Sequence, residues 1–154
     1  MDVGINNLLL MIGILHGQRR SATVMSGMLE GMKVVGLDLE TTGFDSRSER
    51  IVEYALVGSD SDGSHIGLCS LVDPERRIPS DATRVHGITN GDVKGAGAFS
   101  EHADRISEII DGAVVVGHNV IGFDWGFIRM EYLRAGLEAP RVHGFIDTLK
   151  LARK

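Results

Sequence analysis

The chain has 154 residues, 43% of them hydrophobic and 24% charged, with 16 basic against 21 acidic residues and a formal net charge of −5. That length suits one domain with a sizeable core, and the composition excludes a disordered or fibrous protein. The negative balance excludes a global positive field able to hold nucleic acid or an anionic membrane, so a polyanionic partner would need local basic groups or metal ions.

The first apolar run, "LLLMIGIL" at residues 8 to 15, is shorter than the roughly 20 residues a membrane helix needs. Asp2 before it and "HGQRR" after it reverse the charge order of a secretory signal. The single cysteine, Cys69, cannot form an internal disulfide and reads as a buried thiol in a strand, so a cytoplasmic location without membrane contact is expected. Residues 1 to 32 show no clean helical period and read as an N-terminal extension, leaving residues 33 to 154 as the organised domain.

From residue 33 the pattern sharpens. "KVVGLDLE" (33 to 40), "RIVEYALVGSD" (50 to 60) and "SHIGLCSLVD" (64 to 73) are β-rich, and "DSDG" between the last two is a turn signal. The segment 74 to 93 reads as a loop with short helical turns near 80 to 86 and 89 to 93. Phe99, Ala103, Ile106 and Ile110 then keep helical spacing, with Ser100 as the expected N-cap. "AVVVG" at 113 to 117 is a short apolar run of the kind found in a strand covered on both faces. The next helix is expected to place Phe123, Phe127, Met130 and Leu133 on its buried stripe, with Trp125 on the surface and Gly136 ending it. "GFID" at 144 to 147 is a last short strand, and "TLKLARK" begins a helix. The order predicts an α/β fold: three antiparallel strands extended by parallel strands through right-handed crossovers, flanked by helices.

Two carboxylates stand inside the first strand. Side chains alternate across a strand, so Asp38 and Glu40 emerge on one face while Leu37 and Leu39 enter the core. Adjacent carboxylates in a half-buried place repel and are costly unless protonated, paired or bound to metal. Exposure at an edge or pairing with an arginine is the other reading of a lone D-x-E. All-oxygen ligands suit Mg²⁺ or Mn²⁺, and carboxylate-held pairs of such ions cleave phosphodiesters. "TTG" directly afterwards supplies hydroxyls and a glycine in a tight turn where a phosphate or sugar could sit. "GHNVIGFD" at 117 to 124 brings His118, Asn119 and Asp124 to the exit of a strand, the end of an open α/β sheet where ligands bind. Asp124 faces Asp38 and Glu40 if the fourth strand lies beside the first.

"DLETTG", "VHGIT" (85 to 89), "HNxxxFD" and "DTLKLAR" (147 to 153), in that order, resemble the motifs of the DEDD exonucleases. The DEDDh-type proofreading epsilon subunits of DNA polymerase III are the relatives most alike, from roughly Lys33 to Lys154. The resemblance implies a ribonuclease H-like fold and two-metal removal of nucleoside monophosphates from a nucleic-acid 3′ end, with single-stranded DNA or RNA, DNA favoured, and a polymerase subunit as partners. It implies Asp38 as the carboxylate shared by both Mg²⁺ or Mn²⁺ ions, Glu40 as a second ligand and Asp124 as a ligand of the other ion. It implies that Thr41, Thr42 and Gly43 hold the terminal nucleotide, that Phe44 packs against a base, and that His86 and Asn119 stand near substrate. His86 also reads as a helix-ending histidine with a purely structural role. The spacing from Asn119 to Phe123 is one residue longer than in most proofreading relatives. A histidine base followed by a fourth aspartate is expected after "DTLKLARK". His143 and Asp147 are rejected as substitutes because Asp147 matches "DTL". The chain is accordingly expected to be incomplete at its C-terminus and weakly active or inactive alone; the alternative is an inactive module that binds a 3′ end or a polymerase partner.

Overall fold

The computed structural model describes residues 29–152. The expectations for residues 1 to 28 lie outside the described residues. The elements, in chain order, are β1 (Val34–Thr41), β2 (Ile51–Ser59), β3 (His65–Leu71), α1 (Ser80–His86), α2 (Phe99–Ile110), β4 (Val114–Gly117), α3 (Asp124–Arg134), β5 (Gly144–Asp147) and α4 (Thr148–Ala152). They form one five-stranded sheet in the order β3-β2-β1-β4-β5. The first three strands are an antiparallel meander, and β4 and β5 add in parallel. This is the mixed sheet that the strand order predicts, in the ribonuclease H-like arrangement that the resemblance implies.

Burial follows the alternation. Val35, Leu37 and Leu39 of β1 join Tyr54 and Leu56 of β2 and Val115 of β4 in the main core, which α2 covers with Phe99, Ala103, Ile106 and Ile110. Burying aliphatic side chains of this kind contributes about 1.5–3 kcal/mol each, which is why α2 docks as the spacing predicts. The smaller cluster of Val52, Ile78 and Val93, with Ala82 and Ile88 against it, packs α1 and its loop separately. β4 is buried along its whole length, as a parallel strand covered on both faces must be.

Four local expectations are corrected. α2 begins at Phe99 with Ala98 in the N-cap position, not Ser100. Alanine has no capping oxygen, so the reciprocal half of the motif acts alone: Glu101 Oε1 accepts the Ala98 N–H at 2.9 Å. Residues 90–95 form turns and not a second helical turn: the Asp92 carboxylate takes the Thr89 N–H and hydroxyl as in a helix cap, but Gly95, left-handed at φ 83, ends the run before a helix forms. The buried side of α3 consists of Asp124, Phe127, Ile128, Glu131 and Tyr132, while Leu133 is 67% exposed. Trp125 is half-buried and packs edge-on against Phe145 at 5.1 Å, because β5 supplies a partner ring from 20 residues downstream. Gly136, at φ 71, occupies the left-handed position after the α3 C-cap, as expected.

Candidate active site

Three strand ends and one helix start meet at a single edge of the sheet. β1 and β4 run side by side with Val34 opposite Val114 and Gly36 opposite Val116. This puts Leu37 and Gly117 next to each other, where the chain leaves β4. Gly117 has a steric reason: a Cβ there would stand 2.9 Å from the Leu37 carbonyl oxygen and 2.7 Å from Val120 Cβ. The bare backbone lets the turn after β4 fold back beside Asp38, and that turn leads into Asp124, the first residue of α3.

The turn is held from the next strand. Asp147, the last residue of β5 and 5% exposed, accepts the N–H of Asn119 at 3.0 Å, of Ile121 at 3.2 Å and of Leu149 at 3.1 Å. Asn119 takes a left-handed conformation at φ 60, one that asparagine tolerates better than most residues. Phe123 N–H then closes on the Asn119 carbonyl at 2.8 Å. A carboxylate saturated by three backbone donors is a structural anchor, and Asp147 has that role here. His118 Nδ1 lies 3.1 Å from the Thr148 hydroxyl.

Asp38, Glu40 and Asp124 share one electrostatic site. Burial pushes the Asp38 carboxyl up to about 6. Burial, then the charges of Asp38 and Glu53, push Glu40 up to about 7. Burial and the charge of Asp38 outweigh backbone hydrogen bonds at Asp124, which also rises to about 7. Glu53 stands opposite Glu40 in the antiparallel register and is 9% exposed, an arrangement that like charges disfavour. None of the ion pairs among the described residues includes Asp38, Glu40 or Asp124. Hard divalent cations fit this donor set in chemistry: oxygen ligands, excess negative charge and partial desolvation. Among the described residues, however, no three His, Cys, Asp or Glu side chains are grouped closely enough to hold one metal ion.

Beside Glu40 lies a cleft of about 340 Å³ walled by Thr41 to Phe44, by Val85 and His86 of α1 and by Phe123. Thr41, Thr42, Gly43, Phe44 and His86 of the predicted set thus come together. Asn119 is not among the lining residues; its side chain lies over Gly122, where a Cβ would meet Asn119 Oδ1 at 2.5 Å. The two threonine hydroxyls are engaged internally. Thr41 Oγ1 donates to the Gly43 carbonyl at 2.6 Å, and Thr42 Oγ1 donates to the Glu49 carboxylate while accepting the Arg50 N–H at 2.9 Å. They shape the wall more than they reach into it. A Cβ on Gly43 would stand 2.8 Å from Glu49 Cγ, so a side chain there would displace the Glu49 carboxylate that takes the Thr42 hydroxyl.

His86, 6% exposed, accepts the Ile88 N–H on Nδ1 at 3.0 Å, which places the proton of the neutral ring on Nε2. Nε2 is buried without a hydrogen-bond partner. Burial holds this imidazole below its usual range, with the nearby Thr41 backbone offsetting part of the effect. Phe44 is 89% exposed and ends a ladder of rings: Phe127 in the core, Phe123 at 5.0 Å from it, Phe44 at 6.5 Å from Phe123.

Two further residues that hold the site carry no signal in the sequence pattern. Arg50 Nε donates to Glu131 Oε1 at 2.7 Å, joining positions 81 apart. Glu131 reads as solvent-facing in any hydropathy pattern, and only the fold shows its partner.

A family model described as Exonuclease matches residues 35–154. The chain is 33% identical over 125 residues to the PolC-type DNA polymerase III of Pediococcus pentosaceus, covering 81% of this chain and 9% of that protein. It is 32% identical over 124 residues to the DNA polymerase III subunit epsilon of Treponema pallidum, covering 80% and 57%. It is 30% identical to the 3′-5′ exonuclease DinG of Bacillus subtilis, covering 79% and 13%. The chain therefore spans from about a tenth to a little over half the length of these relatives. Among solved structures it is similar to exonuclease I, with a TM-score of 0.68 at 20% identity over 78% of this chain and 29% of that one. A further match is E. coli exonuclease I in complex with a dT13 oligonucleotide, with a TM-score of 0.66 at 20% identity over 78% and 28%.

Proposed function

The chain belongs to the exonuclease family, and on that premise we propose that it carries the metal-binding carboxylates and 3′-terminal nucleotide site of a 3′-5′ exonuclease acting on single-stranded DNA. The observation that carries the reading is the trio of desolvated carboxyls, Asp38, Glu40 and Asp124, with no basic partner among the described residues, next to a nucleotide-sized cleft. Asp38 and Glu40 hold Mg²⁺ or Mn²⁺ from β1, and Asp124 holds the second ion from α3. Bound there, such ions lower the pKa of the attacking water and neutralise charge on the scissile phosphate.

The chain's own residues do the rest. The Thr41 to Phe44 turn forms the wall against which the terminal nucleotide rests. Phe44 offers an exposed ring to a base, a contact that tolerates any sequence. His86 lines the same cleft beside Thr41, and its buried Nε2–H is the donor that a sugar or phosphate seated there would meet. Asp147 keeps the turn before Asp124 in one conformation, so that its carboxyl meets those of β1. The histidine base and fourth aspartate of the DEDDh pattern match no residue among 29–152; Asp147 in particular is saturated by backbone donors. DNA is favoured over RNA as substrate because two of the named relatives are a DNA polymerase III and a DNA polymerase III epsilon subunit, and the oligonucleotide in the exonuclease I complex is dT13.

The test is degradation of a 5′-labelled single-stranded oligonucleotide by the protein in Mn²⁺. Stepwise shortening from the 3′ end, by the protein and not by its Asp38→Ala variant, is the expected result. Internal cleavage, or shortening that survives Asp38→Ala, would overturn the reading. A chain that binds a 3′-recessed end with Mn²⁺ but never shortens it would support the inactive binding module instead.

A further inference from the structure

Glu131 is 1% exposed in the middle of α3 and is answered by charge from two directions. Its Oε1 takes Arg50 Nε at 2.7 Å and the Ile51 N–H at 3.2 Å, and Arg134 Nη1 stands 3.4 Å away. Both arginines grip the same segment, the loop between β1 and β2. The Arg50 N–H donates to Thr42 Oγ1 at 2.9 Å and its carbonyl accepts the Thr42 N–H at 2.9 Å. Arg134 Nη2 donates to the carbonyls of Ser46 at 2.7 Å and Arg47 at 2.9 Å. From the far side Arg76 reaches the Ser48 carbonyl and stands 3.5 Å from Glu49, the carboxylate that takes the Thr42 hydroxyl.

This wiring joins two parts of the active site that the chain delivers separately. The loop ends the strand that carries Asp38 and Glu40, and its first residues, Thr42 to Phe44, wall the cleft. α3 carries Asp124 at its first residue, and Glu131 lies about two turns further on, about 10 Å along the axis. A rigid helix pinned at Glu131 cannot slide or turn relative to the loop without breaking a buried ion pair, and a charge left unpaired there is costly.

We propose that Glu131, acting through Arg50 and Arg134, is a positioning residue that sets the register between the helix bearing Asp124 and the loop that forms the nucleotide wall. The inference rests on the exonuclease reading for what the register serves, and on the hydrogen bonds alone for the register itself. It predicts that removing the charge loosens the loop locally and weakens metal binding at a distance, as residues that orient metal ligands do, by about 10- to 100-fold.

The experiment compares wild type, Glu131→Gln and Glu131→Ala by hydrogen exchange and by calorimetric titration with Mn²⁺. Glutamine keeps the shape and an acceptor, so the fold is expected to survive in that variant even if alanine does not fold. In Glu131→Gln, amides of residues 42 to 51 are expected to exchange about tenfold faster, those of 53 to 57 and 114 to 116 to stay within twofold of wild type, and Mn²⁺ to bind about tenfold more weakly. Loop exchange within twofold of wild type overturns the proposal. So does uniform acceleration across the sheet, which would show a role in overall stability only. If wild type itself binds no Mn²⁺, the exonuclease reading fails, and the exchange pattern still decides the register.

Discussion

Two regions of this domain bury carboxylates and treat them in opposite ways. Glu131, 1% exposed, is answered by Arg50, Arg134 and a backbone N–H. A short distance along the same helix, Asp124 is 4% exposed, and neither it nor its neighbours Asp38 and Glu40 takes part in any of the ion pairs among the described residues. The first arrangement fixes geometry. The second leaves negative charge uncompensated, at a cost to the unliganded fold, and so keeps a place for cations. Stability and ligand affinity are therefore expected to respond in opposite directions when each region is altered.

The sharpest break of the comparison is Asp38→Asn. Nuclease activity is expected to fall by about a thousandfold or more, the several kcal/mol that metal-assisted charge stabilisation supplies. The melting temperature in EDTA is expected to hold or rise, because one of three repelling groups becomes neutral. A drop of several degrees in EDTA would show that Asp38 is structural. The converse change, Glu131→Leu, is expected to lower stability by about 3 kcal/mol, since it leaves Arg50 and Arg134 facing an uncharged site; urea unfolding at pH 7 reads it directly.

Next in size is the response to cations. Mn²⁺ at about one hundred times its dissociation constant should stabilise wild type by about 2.7 kcal/mol, seen as a rise in the urea midpoint that Asp38→Asn abolishes. Phe44→Ala comes after it. A ring 89% exposed contributes little to the fold, so stability should stay within about 0.5 kcal/mol. Loss of a stacking partner should weaken oligonucleotide binding by about 1–3 kcal/mol, measurable by fluorescence anisotropy with Ca²⁺ in place of Mn²⁺.

A further effect is in pH. Asp38, Glu40 and Asp124 keep their protons to about 6, 7 and 7 in the fold, against about 4 in an unfolded chain. The folded state thus binds protons that the unfolded state has released, and the contribution of these groups is fully present below about pH 4 and lost as pH rises through 6 to 7. In EDTA the melting temperature should decline between pH 5 and pH 8, and Mn²⁺ should remove the decline. A rise over that interval would contradict the assignment.

Much of this was legible in the sequence, for identifiable reasons. The strands announced themselves through β-branched runs and turn residues, and α2 through four apolar positions at helical spacing. Asp38 and Glu40 stood out because carboxylates two apart in an apolar strand must share a face, and Asp124 because it starts a helix at a strand exit. The pattern failed where charge is buried. The inner side of α3 carries Asp124 and Glu131, so a search for an apolar stripe chose Met130 and Leu133 in their place. The hydrogen bonds of Thr41 and Thr42 were not legible for a different reason: a hydroxyl's partner, here Gly43 or Glu49, is chosen by the turn and not by composition. Asp147 matched a motif, but its three backbone donors come from residues as far as 28 positions away.

The position of β1 in the middle of the sheet has a kinetic consequence. On one side it pairs with β2, its neighbour in sequence; on the other with β4, about 80 residues downstream. Local hairpins close in microseconds, whereas distant parallel pairing must first overcome the entropy of a long loop. Asp38 and Glu40 are thus in place with the first hairpin, and Asp124 arrives only when the far strand docks. A cation that needs both halves meets its full ligand set after the rate-limiting step, so Mn²⁺ should slow unfolding in proportion to its stabilisation and leave the refolding rate nearly unchanged. Stopped-flow chevrons with and without Mn²⁺ would show the unfolding arm shifting while the folding arm stays in place.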